Sequence, residues 1–204
     1  LPEGELFLTG TPVLNAVLAE SMQADLMKLF PIVLVLVALI LYLYFRNLRG
    51  VLLPFITVLI SVVWTLGLMG ILGKQLSPLN AVMPVLLVSL GSAYGIYIIA
   101  RYHDELLKGA EREGAVSQTL KSVGLSVLLA GTTTIAGFAS NLSSSITLMK
   151  DFGLFTAYGV LVALVISLTF IPAMLLLLPV PKKVAVKKED GQDGILTRIL
   201  AGIA

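Results

Sequence analysis

The sequence predicts an all-α membrane protein, a bundle of five transmembrane helices, and three observations carry that prediction. Five stretches of the 204-residue chain, residues 29–45, 50–73, 75–100, 122–149 and 152–181, hold no Asp, Glu, Lys or Arg. The 14 basic and 12 acidic residues are crowded into the segments between and around them. The apolar fraction is 57% and the mean hydropathy +0.99, against roughly 45–50% apolar residues in a soluble domain. About 20 mostly apolar helical residues cross a hydrocarbon core of roughly 30 Å, and lipid offers no water to an open backbone, so each stretch reads as one spanning helix.

Taken in chain order, Leu6, Phe7 and Leu8, then Thr9-Gly10-Thr11-Pro12, read as the last strand of an external domain, residues 1–12, and its exit turn. Over residues 13–25, Val13, Leu14, Val17, Leu18 and Met22 recur at helical spacing among Asn15, Glu20, Gln23 and Asp25, an amphipathic lead-in helix. The transmembrane domain covers residues 26–181. Its first charge-free run is short, but Leu26 and Met27 extend it and Lys28 can reach the headgroups. Residues 46–50 form a tight turn, and residues 73–80 a loop broken at Ser77-Pro78. From Arg101 to about Lys121, the charges Asp104, Glu105, Lys108, Glu111, Arg112 and Glu113 suggest a solvated helix or helical hairpin around Gly109 and Gly114. Pro179 and Pro181 end the fifth span. Residues 182–204 are a polar linker and then a short apolar face, Ile195, Leu196, Ile199, Leu200 and Ile203, suited to lying on the membrane.

Charge sets the expected orientation. With the N-terminus external, Arg46, Arg49, Arg101, Lys108, Arg112, Lys121, Lys182, Lys183, Lys187, Lys188 and Arg198 fall on the cytoplasmic side, leaving Lys28, Lys74 and Lys150 outside. That agrees with the positive-inside rule, so the N-terminus is expected outside and the C-terminus in the cytoplasm. The chain begins at Leu1 without a charged leader, although an external N-terminus ahead of five spans needs one, so a segment of a longer protein is expected.

Several function classes are excluded. There is no cysteine and a single histidine, His103, which removes disulfide scaffolds, thiol catalysis and an obvious metal site. A scattered net charge of +2 argues against nucleic acid as a partner. No nucleophile and base pair, phosphate loop or carboxylate pair is present, so neither catalysis nor a cofactor is expected.

An intramembrane ionisable residue is the usual functional marker, and the spans contain none. What remains is a pattern of small and hydroxyl residues. On the third span Ser89, Ser92, Ala93 and Ala100 share a face, Gly91 and Gly95 form a Gly-x-x-x-Gly, and Tyr94 and Tyr97 bring phenols nearby. On the fourth, Ser126, Ala130, Thr133, Thr134, Gly137 and Asn141 fall on one stripe. The pattern fits a hydrated seam or ion path between the two spans, and equally tight packing with hydroxyls bonded back to their own backbone. Either way, Ser89, Ser92 and Ala93 are expected to touch Ser126, Ala130, Thr133 and Thr134, with the Tyr94 hydroxyl meeting a polar group. Pro31, Pro54, Pro84 and Pro172 are candidate hinges, Tyr42 and Tyr44 fit an interfacial belt, and His103 reads as a solvated interfacial histidine.

Three stretches together resemble the resistance-nodulation-division (RND) superfamily, in its MmpL-like branch of hydrophobe and lipid exporters, related to Patched and the sterol-sensing domain. They are Gly91-Ser92-Ala93-Tyr94-Gly95-Ile96-Tyr97-Ile98-Ile99-Ala100-Arg101-Tyr102-His103-Asp104-Glu105, then Thr132-Thr133-Thr134-Ile135-Ala136-Gly137-Phe138-Ala139-Ser140, then Phe152-Gly153-Leu154-Phe155-Thr156-Ala157-Tyr158-Gly159-Val160 continuing to Leu168-Thr169-Phe170-Ile171-Pro172-Ala173. The resemblance implies that the five spans are the second to sixth helices of an RND transporter half, with a porter domain upstream and a second transmembrane half elsewhere in the same protein. It also implies an exporter of lipid-like or hydrophobic substrates in the cytoplasmic (inner) membrane, driven by an ion gradient in the intact protein. Membrane lipids or a hydrophobic substrate are the implied partners, and a homo-oligomer is a further option. The alternative is a sterol-sensing-type module that binds an apolar ligand without pumping. One departure bears on coupling: proton-driven members carry an Asp immediately before the Tyr of the first stretch, and that position here is Ala93. The candidate transport or relay residues, read from the small and hydroxyl pattern, are Ser89, Ser92, Ala93, Tyr94, Ser126, Thr133 and Thr134, with Gly91, Gly95, Ala130 and Gly137 as helix-packing positions.

Overall fold

The computed structural model describes residues 11–45, 48–74, 77 and 79–178. Six α-helices succeed one another: α1 (Thr11–Phe45), α2 (Leu48–Ile71), α3 (Met83–Leu107), α4 (Arg112–Thr119), α5 (Leu125–Ala139) and α6 (Thr147–Leu177). Short 3₁₀ turns at Asn80–Val82 and Ser140–Ser143 and a π-turn at Leu120–Gly124 complete the described chain. Five runs are long and apolar enough to cross a membrane: Met27–Phe45, Gly50–Ile71, Asn80–Leu107, Arg112–Ser143 and Thr147–Leu177. The five expected spans are the five observed, and the chain is an all-α, multi-pass membrane protein.

The local boundaries refine the expectation. The lead-in helix and the first span are one uninterrupted α1 that also takes in Thr11 and Pro12, expected in the exit turn, because proline is tolerated in a helix's first turn; its 35 residues reach about 52 Å at 1.5 Å per residue, well beyond a hydrocarbon core. Two turns share one solution. Lys74 N–H bonds Met69 C=O and Gly73 N–H bonds Gly70 C=O after α2, while Ala110 N–H bonds Glu105 C=O and Gly109 N–H bonds Leu106 C=O after α3. Both are Schellman caps. Gly73 and Gly109 hold φ of 64° and 95°, which a side chain would strain. The hairpin between α3 and α4 therefore pivots on Gly109 alone, and Gly114 lies inside α4. The expected strand at Leu6–Leu8, the linker from residue 182 and the apolar face at 195–203 lie outside the described residues.

Tertiary packing centres on α2, α3 and α6, which all lie against one another, while α5 lies along α6 and α1 along α2 and α3. Lipid is as apolar as leucine, so these helices associate through close packing and hydrogen bonds rather than through burial from water. Glycines supply the approach. A Cβ placed on Gly91 would fall 2.9 Å from Val58 Cγ2, and one on Gly95 2.6 Å from Pro54 Cβ. On Gly159 it would fall 2.5 Å from Leu87 Cδ1 and 2.7 Å from Thr65 Oγ1. Gly131 admits the Leu164 side chain in the same way, joining α5 to α6. At the end where α2 and α5 finish, Lys74 Nζ lies 2.9 Å from Asp151 Oδ1 and ties the α2–α3 loop to α6.

Two apolar clusters fill the bundle. One runs through Val58, Val62, Leu87, Val127, Phe155 and Val160 in its middle. The other, at the end where α1, α3 and α6 finish, joins Leu41, Phe45, Ile98, Tyr102, Val116 and Ile171. After Arg101 the chain forms the helical hairpin, with Asp104, Lys108, Glu111 and Glu113 exposed, but Glu105 on α3 and Ala115, Val116 and Thr119 on α4 are buried against the second cluster.

The glycine contacts generate the first prediction. Gly159→Val forces Leu87 and Thr65 aside and is expected to cost about 1–3 kcal/mol, as overpacking does. Gly137→Ala, at a helical site with nothing within 4 Å, leaves stability unchanged or raised by up to about 1 kcal/mol. Unfolding in mixed detergent micelles checks both, and equal destabilisation by the two would refute the packing assigned to Gly159.

Candidate transport seam

The helical period that aligned the hydroxyl residues of α3 and α5 also decides where they point. On α3, Gly91 and Gly95 face α2 and α6, because Val58, Ala163, Pro54 and Ile171 are what added Cβ atoms would meet. Ser89, nearly opposite, is therefore exposed on the bundle surface, as is Tyr97, while Ala93 is half-buried. Ser92 and Tyr94 turn inward and are buried. On α5, Gly131 faces α6, so Ser126, Ala130, Thr133 and Gly137 are exposed and Thr134 and Asn141 half-buried.

The expected face-to-face contact of the two stripes is not how the helices pack. α5 closes on α6 and does not come into close backbone approach with α3 along its length, while α3 meets the α4 end of that segment instead. The physical reason is which glycine faces which neighbour: Gly131 receives Leu164 of α6, and Gly91 and Gly95 receive α2 and α6. Ser89 and Ala93 on one side, and Ser126, Ala130 and Thr133 on the other, form two ribbons on the bundle surface. Tyr94 reaches across, its hydroxyl beside the Thr134 side chain but without a hydrogen bond of good geometry to any described residue.

The chemistry of the seam is limited by where the hydroxyl protons go. Ser89 Oγ donates to Val85 C=O at 3.1 Å and Ser92 Oγ to Ser89 C=O at 3.0 Å. Thr133 and Thr134 both donate to Ala130 C=O, at 2.9 and 2.8 Å, and Thr132 to Leu128 C=O at 2.8 Å. Each donor is spent on its own helix, which lowers the cost of a hydroxyl in lipid and leaves lone pairs facing outward. Such a surface accepts hydrogen bonds but neither takes up nor releases a proton at neutral pH. Among the described residues no group of His, Asp and Glu is placed to hold a metal ion.

Two polar features escape a reading of the sequence. Thr57, Ser61 and Thr65 form a fully buried stripe on α2. Ser61 Oγ donates to Gly159 C=O of α6 at 2.7 Å, while Thr57 and Thr65 donate to Pro54 and Ser61 C=O, each at 2.7 Å. Thr156 and Ser167 on α6 are equally buried. The spacing i, i+4, i+8 within an otherwise apolar span is the available signal. The second feature is Glu105, 4% exposed, whose Oε1 lies 2.7 Å from Arg101 Nη2 and 2.9 Å from Lys108 Nζ. Its i−4 and i+3 partners are visible as a charge pattern. His103 is half-buried, its ring edge-on to Phe45 at a centroid distance of 5.8 Å.

This geometry generates two predictions. Tyr94→Phe removes a buried hydroxyl without a well-formed partner, so it is expected to leave stability unchanged or raise it by up to about 3 kcal/mol; a loss of stability in detergent unfolding would reveal a bond that the geometry lacks. Glu105→Ala strands Arg101, whose Nε is already buried without a partner, and is expected to cost roughly 1.5–3 kcal/mol in the same measurement.

The sequence profile of the MMPL family matches residues 3–195. A putative membrane protein of Methanocaldococcus jannaschii is 31% identical over 176 residues, 86% of this chain and 45% of that protein. The sulfolipid-1 exporter MmpL8 of Mycobacterium tuberculosis is 27% identical over 174 residues, 83% of this chain and 16% of that protein. The putative membrane protein ActII-3 of Streptomyces coelicolor is 28% identical over 182 residues, 86% of this chain and 26% of that protein. The chain thus spans less than half the length of each of these relatives.

Proposed function

The chain belongs to the MMPL family, and we propose from that premise that it is a membrane portion of an RND-superfamily exporter of lipid-like or hydrophobic substrates. The observation that carries the reading is that 83% of the chain aligns with a protein named as a sulfolipid exporter. On this reading the chain transports rather than catalyses. Residues 1–12 end an external porter domain, residues 13–25 lead into the membrane, residues 26–181 form the transmembrane domain, and residues 182–204 are a cytoplasmic linker with the start of an interfacial helix. The positive-inside pattern supports an external N-terminus and a cytoplasmic C-terminus in the inner membrane.

The relay set acts as a surface rather than as a proton carrier. Ser89, Ala93, Ser126 and Thr133 present small residues and lone pairs toward a neighbour, Ser92, Tyr94 and Thr134 back them, and the second transmembrane half supplies that neighbour. Leu, Ile and Val side chains dominate the exposed faces of α1 and α2, which suit lipid. Energy comes from an ion gradient, and with Ala93 in place of an acid the titrating group belongs to the other half.

The test reconstitutes the intact protein in vesicles with a fluorescent long-chain amphiphile under an imposed ion gradient. Export is expected to stop when an ionophore collapses the gradient. Ser89→Leu and Thr133→Leu, at sites exposed on the bundle, are expected to reduce export at least about tenfold while shifting stability by no more than about 0.5 kcal/mol. Export unaffected by ionophores would remove the ion-gradient drive, and unimpaired leucine variants would remove the seam.

A further inference from the structure

A groove of about 680 Å³ opens beside the start of α4, where α6 finishes. Val116, Leu120 and Leu176 give it apolar walls, and Glu111, Arg112 and Glu113 line its rim. Its size falls within the range of small-molecule sites. Arg112 is the first residue of the candidate span Arg112–Ser143 and Leu176 is next to the last of α6, so the groove lies at the boundary end of both spans, where the charge pattern predicts cytoplasmic headgroups.

We propose that this groove binds a zwitterionic phospholipid of the surrounding leaflet, with phosphate on Arg112 and the headgroup ammonium between Glu111 and Glu113. The inference is independent of export. Three observations carry it. Arg112 Nη1 donates to Leu176 C=O at 2.9 Å, which fixes the guanidinium at the groove and leaves its other N–H groups for a phosphate. None of Glu111, Arg112 and Glu113 has an ion-pair partner among the described residues, whose bridges are Lys74–Asp151, Arg101–Glu105 and Lys108–Glu105. The rim carries two negative charges for one positive, so a lipid with an anionic headgroup meets net repulsion, whereas one carrying both signs finds a counter-charge for each. An acyl chain then runs along Val116, Leu120 and Leu176, where a soluble anion has nothing to occupy.

The experiment places the intact protein in nanodiscs of equimolar phosphatidylethanolamine and phosphatidylglycerol and reads retained lipid by native mass spectrometry. Phosphatidylethanolamine is expected to be retained over phosphatidylglycerol by at least about threefold, a ratio within reach of charge interactions near a surface. Glu111→Gln with Glu113→Gln, both exposed and safe for folding, is expected to abolish or invert that preference, and Arg112→Gln to lower retention of both lipids. Should Arg112→Gln fail to fold, Arg112→Lys, which keeps the charge and loses the fork, is expected to weaken retention in the same direction. Millimolar O-phosphoethanolamine, which has the headgroup without chains, is expected not to displace the lipid. Equal retention of the two lipids by the parent, a preference unchanged by the double glutamine variant, or displacement by the free headgroup would each overturn the assignment.

Discussion

Everything in this bundle depends on how closely α6 can approach α2 and α3, and Gly159 is where that distance is set. Its missing side chain admits Leu87 from α3 and Thr65 from α2 at separations that no Cβ would allow. Its carbonyl accepts the Ser61 hydroxyl, a cross-helix bond in a medium that offers no competing water. The same logic repeats along α3: Gly91 brings Val58 and Ala163 together, and Gly95 meets Pro54 and Ile171. In a soluble protein such contacts refine a core that burial already assembles. In lipid they are the assembly force itself, which is why the spans alternate large apolar residues with glycine and hydroxyls rather than carrying leucine throughout.

The inward turn of the glycines has a consequence for everything opposite them. A helix has one circumference, and once Gly91 and Gly95 are committed to α2 and α6, Ser89 and Tyr97 are carried to the outside. The hydroxyl ribbons of α3 and α5 are thus surface features of the described bundle, and their self-bonded hydroxyls let them rest there at small cost. Genuinely interior polarity lies elsewhere, along Thr57, Ser61 and Thr65 with Thr156 and Ser167. Through Ser61 it ties α2 to α6, and it contains nothing that ionises.

Much of the architecture is legible from residues alone, since a charge-free run of spanning length fits a membrane helix and little else, and short connections between such runs force antiparallel neighbours. The residues sharing a face are legible too. Which neighbour that face meets is not, because a helical period states an angle and says nothing about which of several helices lies at it. The Gly-x-x-x-Gly of α3 announces a close approach correctly, while its partners, Pro54, Val58, Ala163 and Ile171, come from two helices whose own patterns give no hint of it. The stripe on α2 is hard to see for the complementary reason that its three hydroxyls are sparse along the chain and continuous only on a helix. Around Gly109 the turn is visible, but burial of Glu105 depends on α4 folding back over the end of α3.

That folded-back α4 separates the chemistry of the two environments. Inside the membrane, the spans offer lone pairs, glycines and apolar volume, and a charge brought there would lack a counter-charge from this chain. At the end where α3 meets α4, Arg101, Glu105 and Lys108 form one charged network around the buried Glu105, and Arg112 is fastened to the end of α6. On the proposed reading, a carboxylate of the second half that packs against Ser89 and Thr133 meets hydroxyls whose protons are already committed to their own helices. Desolvation without compensating donors then favours its protonated form over the charged one. On the same reading, Ala93 in place of an acid does more than remove a proton site from this half: it leaves a surface poor in donors, against which a single neighbouring acid would hold a proton and give it up when water or a cation reaches it.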